Sequence, residues 1–406
     1  MFKKVSKITL INIATQIISL AGFTVVARVI PPDALGQYMI YLSIISIVSV
    51  ISTGFYEQAI YIEENKEKYK IIFTSIVYIA IVVGLVVFGV STLYFGSFFI
   101  SLLLFLGSLF ASVKVFSVTY VISLGRLEMM SLVELFVSPI LPLSLYVYSL
   151  NFNEVDAVQI FTINILVTSF ISCSVFFLYL RLNSYMFIKY LFKLELTEIF
   201  KFMNCYKELP KFKMTSELFG VIALRLPVIV LGHFFSSSVS AFYSISLRIA
   251  VSPISIITKV FSQMFVSEIS KLTKNNHETK NIFIKFFKIL FIIGIAAILS
   301  LYFISGSVIN ALFGSQYSDV YYYLISLAPY IFVLIVVSPL LSSFVIFRKS
   351  NVLFKVKFNF CVISIASYTL AVLIDNIYVG LVLFSSLTFL LYTYAFCVMF
   401  RIHKGS

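Results

Sequence analysis

The positive charges of this chain lie almost entirely on one side of an alternating series of apolar stretches. About twelve such stretches run between residues 8 and 400, most of them close to the ~20 residues that an α-helix needs to cross a ~30 Å hydrocarbon core. All but five of the 30 Lys and Arg residues fall at the two tails and the even-numbered connections, and the odd-numbered connections carry none. The positive-inside rule then places both termini and every even-numbered loop in the cytoplasm. The pattern predicts an all-α polytopic membrane protein with about twelve transmembrane helices.

Composition excludes the other broad classes. The chain is 61% hydrophobic and only 12% charged, against roughly 25% charged in an ordinary soluble domain. Its net charge of +13 forms no basic domain or stripe of the kind that binds nucleic acid. Spread over short cytoplasmic loops, these charges set topology and meet anionic membrane lipids. Cys173, Cys205, Cys361 and Cys397 are scattered and lack metal-ligand spacing, which predicts neither a disulfide framework nor a zinc site. The opening MFKKVSKITL runs into a long apolar span without a small-residue cleavage site and reads as a retained helix.

Hydropathy predicts helices over 8–30, 36–56, 71–94, 98–122, 131–150 and 157–180 in the first half. It predicts six more over 215–235, 239–266, 283–305, 320–347, 356–374 and 377–400. The intervening 181–213 is the longest and most charged connection, and its stretch FIKYLFKLELTEIFKF predicts an amphipathic helix on the cytoplasmic face. Three parts follow: a bundle over 1–180, a linker over 181–213 and a second bundle over 214–406. The outer connections, among them 151–156, are too short to fold as domains. Leu35-Gly36-Gln37-Tyr38 and Val239-Ser240-Ala241-Phe242 stand at equivalent places in the two halves, each opening a second helix, as an internal repeat requires.

The five remaining cations, Arg28, Lys114, Arg225, Arg248 and Lys259, sit inside predicted spans. A cation at the centre of a spanning helix costs ~2.5–3.5 kcal/mol on insertion scales, so it faces water, a partner or a substrate. Arg225 is near the middle of its helix, and Arg248 is ~13 Å inside the outer end of the next. Lys259 follows Arg248 by eleven residues and returns to within about 20° of the same helix face. Lys114 lies in the inner part of its span, and Arg28 lies near the outer boundary, where snorkelling is the ordinary explanation. Glu57, at a cytoplasmic helix end, is a candidate for ion coupling. His233, His277 and His403 read as an outer turn, an inner loop and the tail, so no triad or metal cluster is expected. Glu154 and Asp156 read as a solvated turn, and no Walker-type glycine loop occurs.

These residues resemble the bacterial lipid-linked oligosaccharide flippases of the O-antigen (Wzx) type, within the multidrug, oligosaccharidyl-lipid and polysaccharide exporter superfamily. The similarity is carried by Ala27-Arg28-Val29-Ile30-Pro31-Pro32-Asp33-Ala34-Leu35-Gly36-Gln37-Tyr38 and by Tyr56-Glu57-Gln58-Ala59-Ile60. In the second half it is carried by Leu224-Arg225-Leu226-Pro227-Val228-Ile229-Val230-Leu231, then Arg248-Ile249-Ala250 and Pro253. Leu312-Phe313-Gly314 and Ser338-Pro339-Leu340-Leu341-Ser342-Ser343 extend it. The match departs at Phe55, where many relatives carry an arginine, and at Arg225, where glutamine is common.

The resemblance implies two six-helix bundles around a central cationic cavity, as in the MATE fold, in the bacterial inner membrane. It implies an undecaprenyl-pyrophosphate oligosaccharide as substrate, with Arg225, Arg248, Lys259, Lys114 and Arg28 toward its pyrophosphate and sugar. It also implies coupling to an H⁺ or Na⁺ gradient with no other cofactor, and work beside a polysaccharide polymerase and chain-length machinery. Three readings compete. A peptidoglycan-precursor flippase is close in chemistry, though fourteen spans, not the twelve counted here, would favour it. A multidrug exporter of the same superfamily calls for carboxylates deep in the helices, whereas a membrane-embedded polymerase or glycosyltransferase calls for large external loops.

Overall fold

The computed structural model describes residues 2–63, 68–151, 156–180, 196–274, 278–303 and 306–404. These residues form helices joined by short turns, and no strand occurs among them. The chemistry of the solvent explains this: hydrocarbon offers no partner for backbone N–H and C=O groups, so each spanning segment bonds within itself. Eleven helices are long and apolar enough to cross a membrane, or twelve if one bent pair counts as a single span.

The described residues divide into two compact units. The first holds 1–22 and 38–225, and the second holds 23–37 and 226–406. Helices α1 (Phe2–Val29) and α2 (Pro32–Thr53) therefore contribute their outer ends to the second unit. The turn between them leaves the half of the sequence in which it is written.

In the first unit, α3 (Lys68–Phe95) and α4 (Phe98–Ser123) pack side by side, and α7 (Ala157–Leu180) lies against α4. The helix expected over 131–150 is interrupted at Pro139, giving α5 (Leu127–Val137) and α6 (Ile140–Asn151). Proline has no N–H to donate and crowds the preceding turn. Just after α2, a 3₁₀ segment Tyr56–Tyr61 joins Phe73 and Phe116 in an apolar cluster.

The same cluster takes in part of the linker. Its first part, 181–195, with Arg181, Lys189 and Lys193, lies outside the described residues, as do Glu154 and His277. Its second part forms α8 (Leu196–Cys205). Ile199 and Phe202 of α8 are buried, and Phe202 packs on Tyr56 with ring centroids 5.8 Å apart. Tyr206, just beyond, donates its hydroxyl to Glu63. Part of the apolar face of α8 is thus covered by the Tyr56–Tyr61 turn.

Helix α9 (Thr215–Phe234) begins in the first unit and enters the second after Arg225, leading to α10 (Ser237–Lys274), whose 38 residues run past the expected 239–266 at its C-terminal end. Such a helix is about 57 Å long, well beyond a ~30 Å core. After α11 (Lys280–Phe303) and the short α12 (Gly306–Phe313), the stretch expected as one helix over 320–347 is instead broken. It consists of α13 (Val320–Ser326), α14 (Ala328–Val336), a 3₁₀ turn Ser338–Ser342 and α15 (Ser343–Ile346), with a 56° bend before Ala328. Pro329 and Pro339 each stand at the start of a new piece, where a missing N–H costs nothing. Helices α16 (Ser350–Ile374) and α17 (Ile377–Lys404) close the unit around a tight turn at Asp375.

The outer end of this unit is held by a clasp. Asp33 accepts from the backbone N and the hydroxyl of Ser238 at 3.1 and 2.7 Å. Gln316 donates to the carbonyls of Ala27 and Ile30, and Tyr317 donates to Ile30 at 2.9 Å. The outer turns that look alike in sequence thus meet: a Cβ on Gly36 would lie 1.7 Å from the Ser237 carbonyl oxygen. Only glycine fits that approach. Gly36→Ala is expected to lose about 1–3 kcal/mol of stability, the usual range for overpacking. Gly89→Ala, which meets nothing within 4 Å, is the control. Thermal unfolding of the two purified variants should show a lower midpoint for Gly36→Ala and no drop for Gly89→Ala.

Candidate functional site

Each of the five in-span cations now has a place. Arg225 is exposed at the middle of α9, two residues before Pro227, and belongs to the first unit. Lys114 is exposed on α4 of the same unit. In the second unit, Arg248 and Lys259 stand on α10, with Lys259 exposed and Arg248 partly buried. The Arg248 guanidinium lies over the ring of Phe23, its Cζ 4.1 Å from the ring centroid. That is well inside the ~6 Å over which a ring quadrupole attracts a cation.

Arg28 has a different occupation. Its Nε donates to the Leu312 carbonyl at 2.9 Å and its Nη2 donates to the Ala311 carbonyl. Both carbonyls belong to the last turn of α12, where no intrahelical N–H can reach them and where the helix dipole favours a cation. Arg28 therefore belongs to the clasp that holds the outer turn, and its snorkelling geometry is replaced by two carbonyl contacts.

Glu57 is the buried carboxylate of the first unit. Gly54 and Phe55 both take positive φ, 56° and 61°, so the chain reverses sharply after α2 and turns Glu57 inward. For Phe55 this left-handed geometry is costly. Glu57 is 3% exposed, and its Oε2 has no hydrogen-bond partner. Burial raises its pKa from 4.5 to about 7, opposed by hydrogen bonds from its own backbone and Thr53 and by the charge of Lys213. Lys213 sits on the turn Leu209–Met214 that follows α8.

Two features were not visible in the sequence. Phe23 reads there as one more apolar residue of a span, and nothing marks it as the partner of Arg248. His403 reads as a basic tail, yet it is buried, with Thr279 Oγ1 2.7 Å from its Nδ1 and Ser343 Oγ 3.0 Å from its Nε2. Its ring stacks on Phe283, with centroids 4.5 Å apart. Among the described residues, no three His, Cys, Asp or Glu side chains come together to hold a metal.

The fold is like that of two kinds of solved membrane transporter. The chain is similar to the lipid II flippase MurJ in an inward closed conformation, with a TM-score of 0.69 and 14% identity over 98% of this chain and 87% of that one. It is also similar to an inward-facing multidrug resistance MATE family transporter, with a TM-score of 0.60 and 13% identity over 96% of this chain and 95% of that one. The profile of the polysaccharide biosynthesis protein family matches residues 25–322, and the chain belongs to that family. No curated protein matches the sequence.

The burial of Glu57 fixes a sign for its pH dependence. Its proton is held more tightly in the folded chain than in the unfolded one, so stability falls as pH rises from 4.5 to about 7 and levels off above. Glu57→Gln, which has no proton to lose, should match the wild type in thermal midpoint near pH 4.5. It should gain on it steadily up to about pH 7, then keep a constant lead. An unchanging difference across that window would show that the Glu57 carboxyl is not titrating inside the fold.

Proposed function

We propose that this protein is a flippase that carries an undecaprenyl-pyrophosphate-linked oligosaccharide from the cytoplasmic to the outer leaflet of the bacterial inner membrane. Both termini stand in the cytoplasm in this reading, as the distribution of Lys and Arg requires. It works by alternating access, drives transport with an H⁺ or Na⁺ gradient, and hands its cargo to a polysaccharide polymerase and its chain-length machinery. Membership of the polysaccharide biosynthesis family and likeness to a structure described as a lipid II flippase both support a lipid-linked sugar as cargo.

The observation that carries the proposal is the depth of Arg225 and Arg248 in their helices. A pyrophosphate headgroup needs cations, and the planar fork of arginine donates to phosphate oxygens in pairs. A polyprenyl tail can stay in lipid, so the protein has only the polar end to shelter. In this proposal Arg225 and Arg248 engage the pyrophosphate, Lys114 and Lys259 add to the field along its path, and Arg28 keeps the outer turn in place. Glu57, poised near neutral pH by its burial, is the proposed proton-coupling group. The multidrug reading draws on the MATE likeness, but a cationic drug seeks deep carboxylates, and these deep groups are arginines.

The test is transport into proteoliposomes of a short-chain lipid-pyrophosphate oligosaccharide, read as protection of the sugar from an external glycosidase. Arg225→Ala and Arg248→Ala are each expected to lower the initial rate roughly 10- to 100-fold, as loss of a hydrogen bond to a charged group worth about 1.5–3 kcal/mol implies. Wild-type rates that survive both substitutions would end the headgroup assignment. Transport of an organic cation instead would favour the multidrug reading.

A further inference from the structure

Glu57 is turned inward on the Tyr56–Tyr61 segment, and that segment packs against the end of the linker. Phe202 of α8 lies on Tyr56, the Tyr56 hydroxyl donates to the Met203 carbonyl at 3.4 Å, and Tyr206 donates to Glu63. Leu209 then joins the apolar cluster that holds Tyr56 and Ile60. The π-helical turn Leu209–Met214 therefore lies against the Tyr56–Tyr61 turn. It runs directly into α9, the helix that carries Arg225. Such π turns are rare in proteins and frequently sit at functional sites.

The two turns carry opposite charges in unequal surroundings. Lys213 is exposed on one, whereas Glu57 on the other is 3% exposed, with no partner for its Oε2. The Lys213 ammonium is close enough to act electrostatically on the Glu57 carboxyl, and it favours the ionised form. Two further titratable groups bear on the pair. Tyr61 feels the Glu57 charge from the end of the same segment, and Glu217, exposed on α9 four residues past Lys213, is its neighbour by helical spacing. A carboxylate out of water is expensive, so whatever favours its ionised form has a large say in whether it keeps its proton. A proton and the Lys213 ammonium thus compete for one buried group.

We propose that Lys213 is the positioning partner through which Glu57 acts: the ionised carboxyl holds the start of α9 against the Tyr56–Tyr61 turn, and protonation releases it. This rests on the reading of Glu57 as the proton-coupling group. The only bond made or broken is the carboxyl O–H, with water as the other proton carrier. Lys213 touches no cargo in this scheme. It ties the protonation of Glu57 to the helix that carries Arg225.

The experiment uses the full chain in lipid nanodiscs and reads thermal midpoint against pH, as the lead of Glu57→Gln over its parent in two backgrounds, wild type and Lys213→Met. In the wild-type background the lead should rise up to about pH 7. Without the ammonium the carboxyl holds its proton more tightly, so the rise should continue roughly 0.2–0.7 pH unit further, the shift that an exposed charge pair supports. Lys213→Arg should keep the wild-type curve, and the shift from Lys213→Met should persist in Glu217→Gln. If Lys213→Met does not fold, Lys213→Gln carries the same comparison. In proteoliposomes, the pH profile for transport of the short-chain lipid-pyrophosphate oligosaccharide should move the same way in Lys213→Met, and not at all when Lys213→Met is added to Glu57→Gln.

A transport profile that Glu57→Gln leaves unchanged would end the coupling reading of Glu57 and this proposal with it. A lead that levels off at the same pH with and without Lys213, a shift that disappears in Glu217→Gln, or a shifted lead beside an unshifted transport profile would overturn the proposal for Lys213 alone.

Discussion

A charge inside hydrocarbon has to be held by something, and most of the informative geometry here follows from that requirement. The expense of an isolated cation in a spanning helix is relieved by a carbonyl, a ring, water or a substrate. Arg28 takes the first solution and Arg248 the second. The two lie on elements far apart in the chain, yet both solutions draw on one stretch of α1. Arg28 braces it against α12, and Phe23 at its start supports the guanidinium. The braced outer turn is thus connected, through a few residues of helix, to the group proposed to meet the substrate.

The same solvent also governs where the backbone departs from helix. Interruptions fall at Pro139, Pro329 and Pro339, and at the sharp reversal through Gly54 and Phe55. At Pro339 and Gly54 the irregular backbone is buried within protein. The reversal at Phe55 goes with the most buried ionisable arrangement of the first unit, since the chain must turn inward there to bring Glu57 to 3% exposure. A left-handed phenylalanine is uncommon, and its persistence beside a buried carboxylate is the pattern in which local strain accompanies function.

Several elements were legible because they depend on local chemistry. The spans at 71–94, 98–122 and 157–180 reappear as α3, α4 and α7 within a few residues. The tight turn at 375–376 is legible in the same way. The helix over 320–347 was misjudged because hydropathy is blind to a bend when both sides of the break are apolar. The described end of the amphipathic stretch is helical, as its pattern predicts, whereas the packing of Phe202 on Tyr56 joins residues far apart in the chain and no local stripe encodes it. His403 was passed over as a tail residue because the hydroxyls that meet it, on Thr279 and Ser343, are distant in sequence.

The sequence by itself determined the membrane class and the positions of Arg225, Arg248 and Lys259 along apolar helices. These depend on hydropathy, charge and a fixed 1.5 Å rise per residue, all of which are local. Only the tertiary structure showed what Arg28 and Arg248 touch. It set Arg28 on helix-end carbonyls, laid Arg248 on Phe23, and gave the outer turn of the first half to the second unit. Those outcomes depend on which surfaces meet across hundreds of residues of chain, and no local pattern encodes such a meeting.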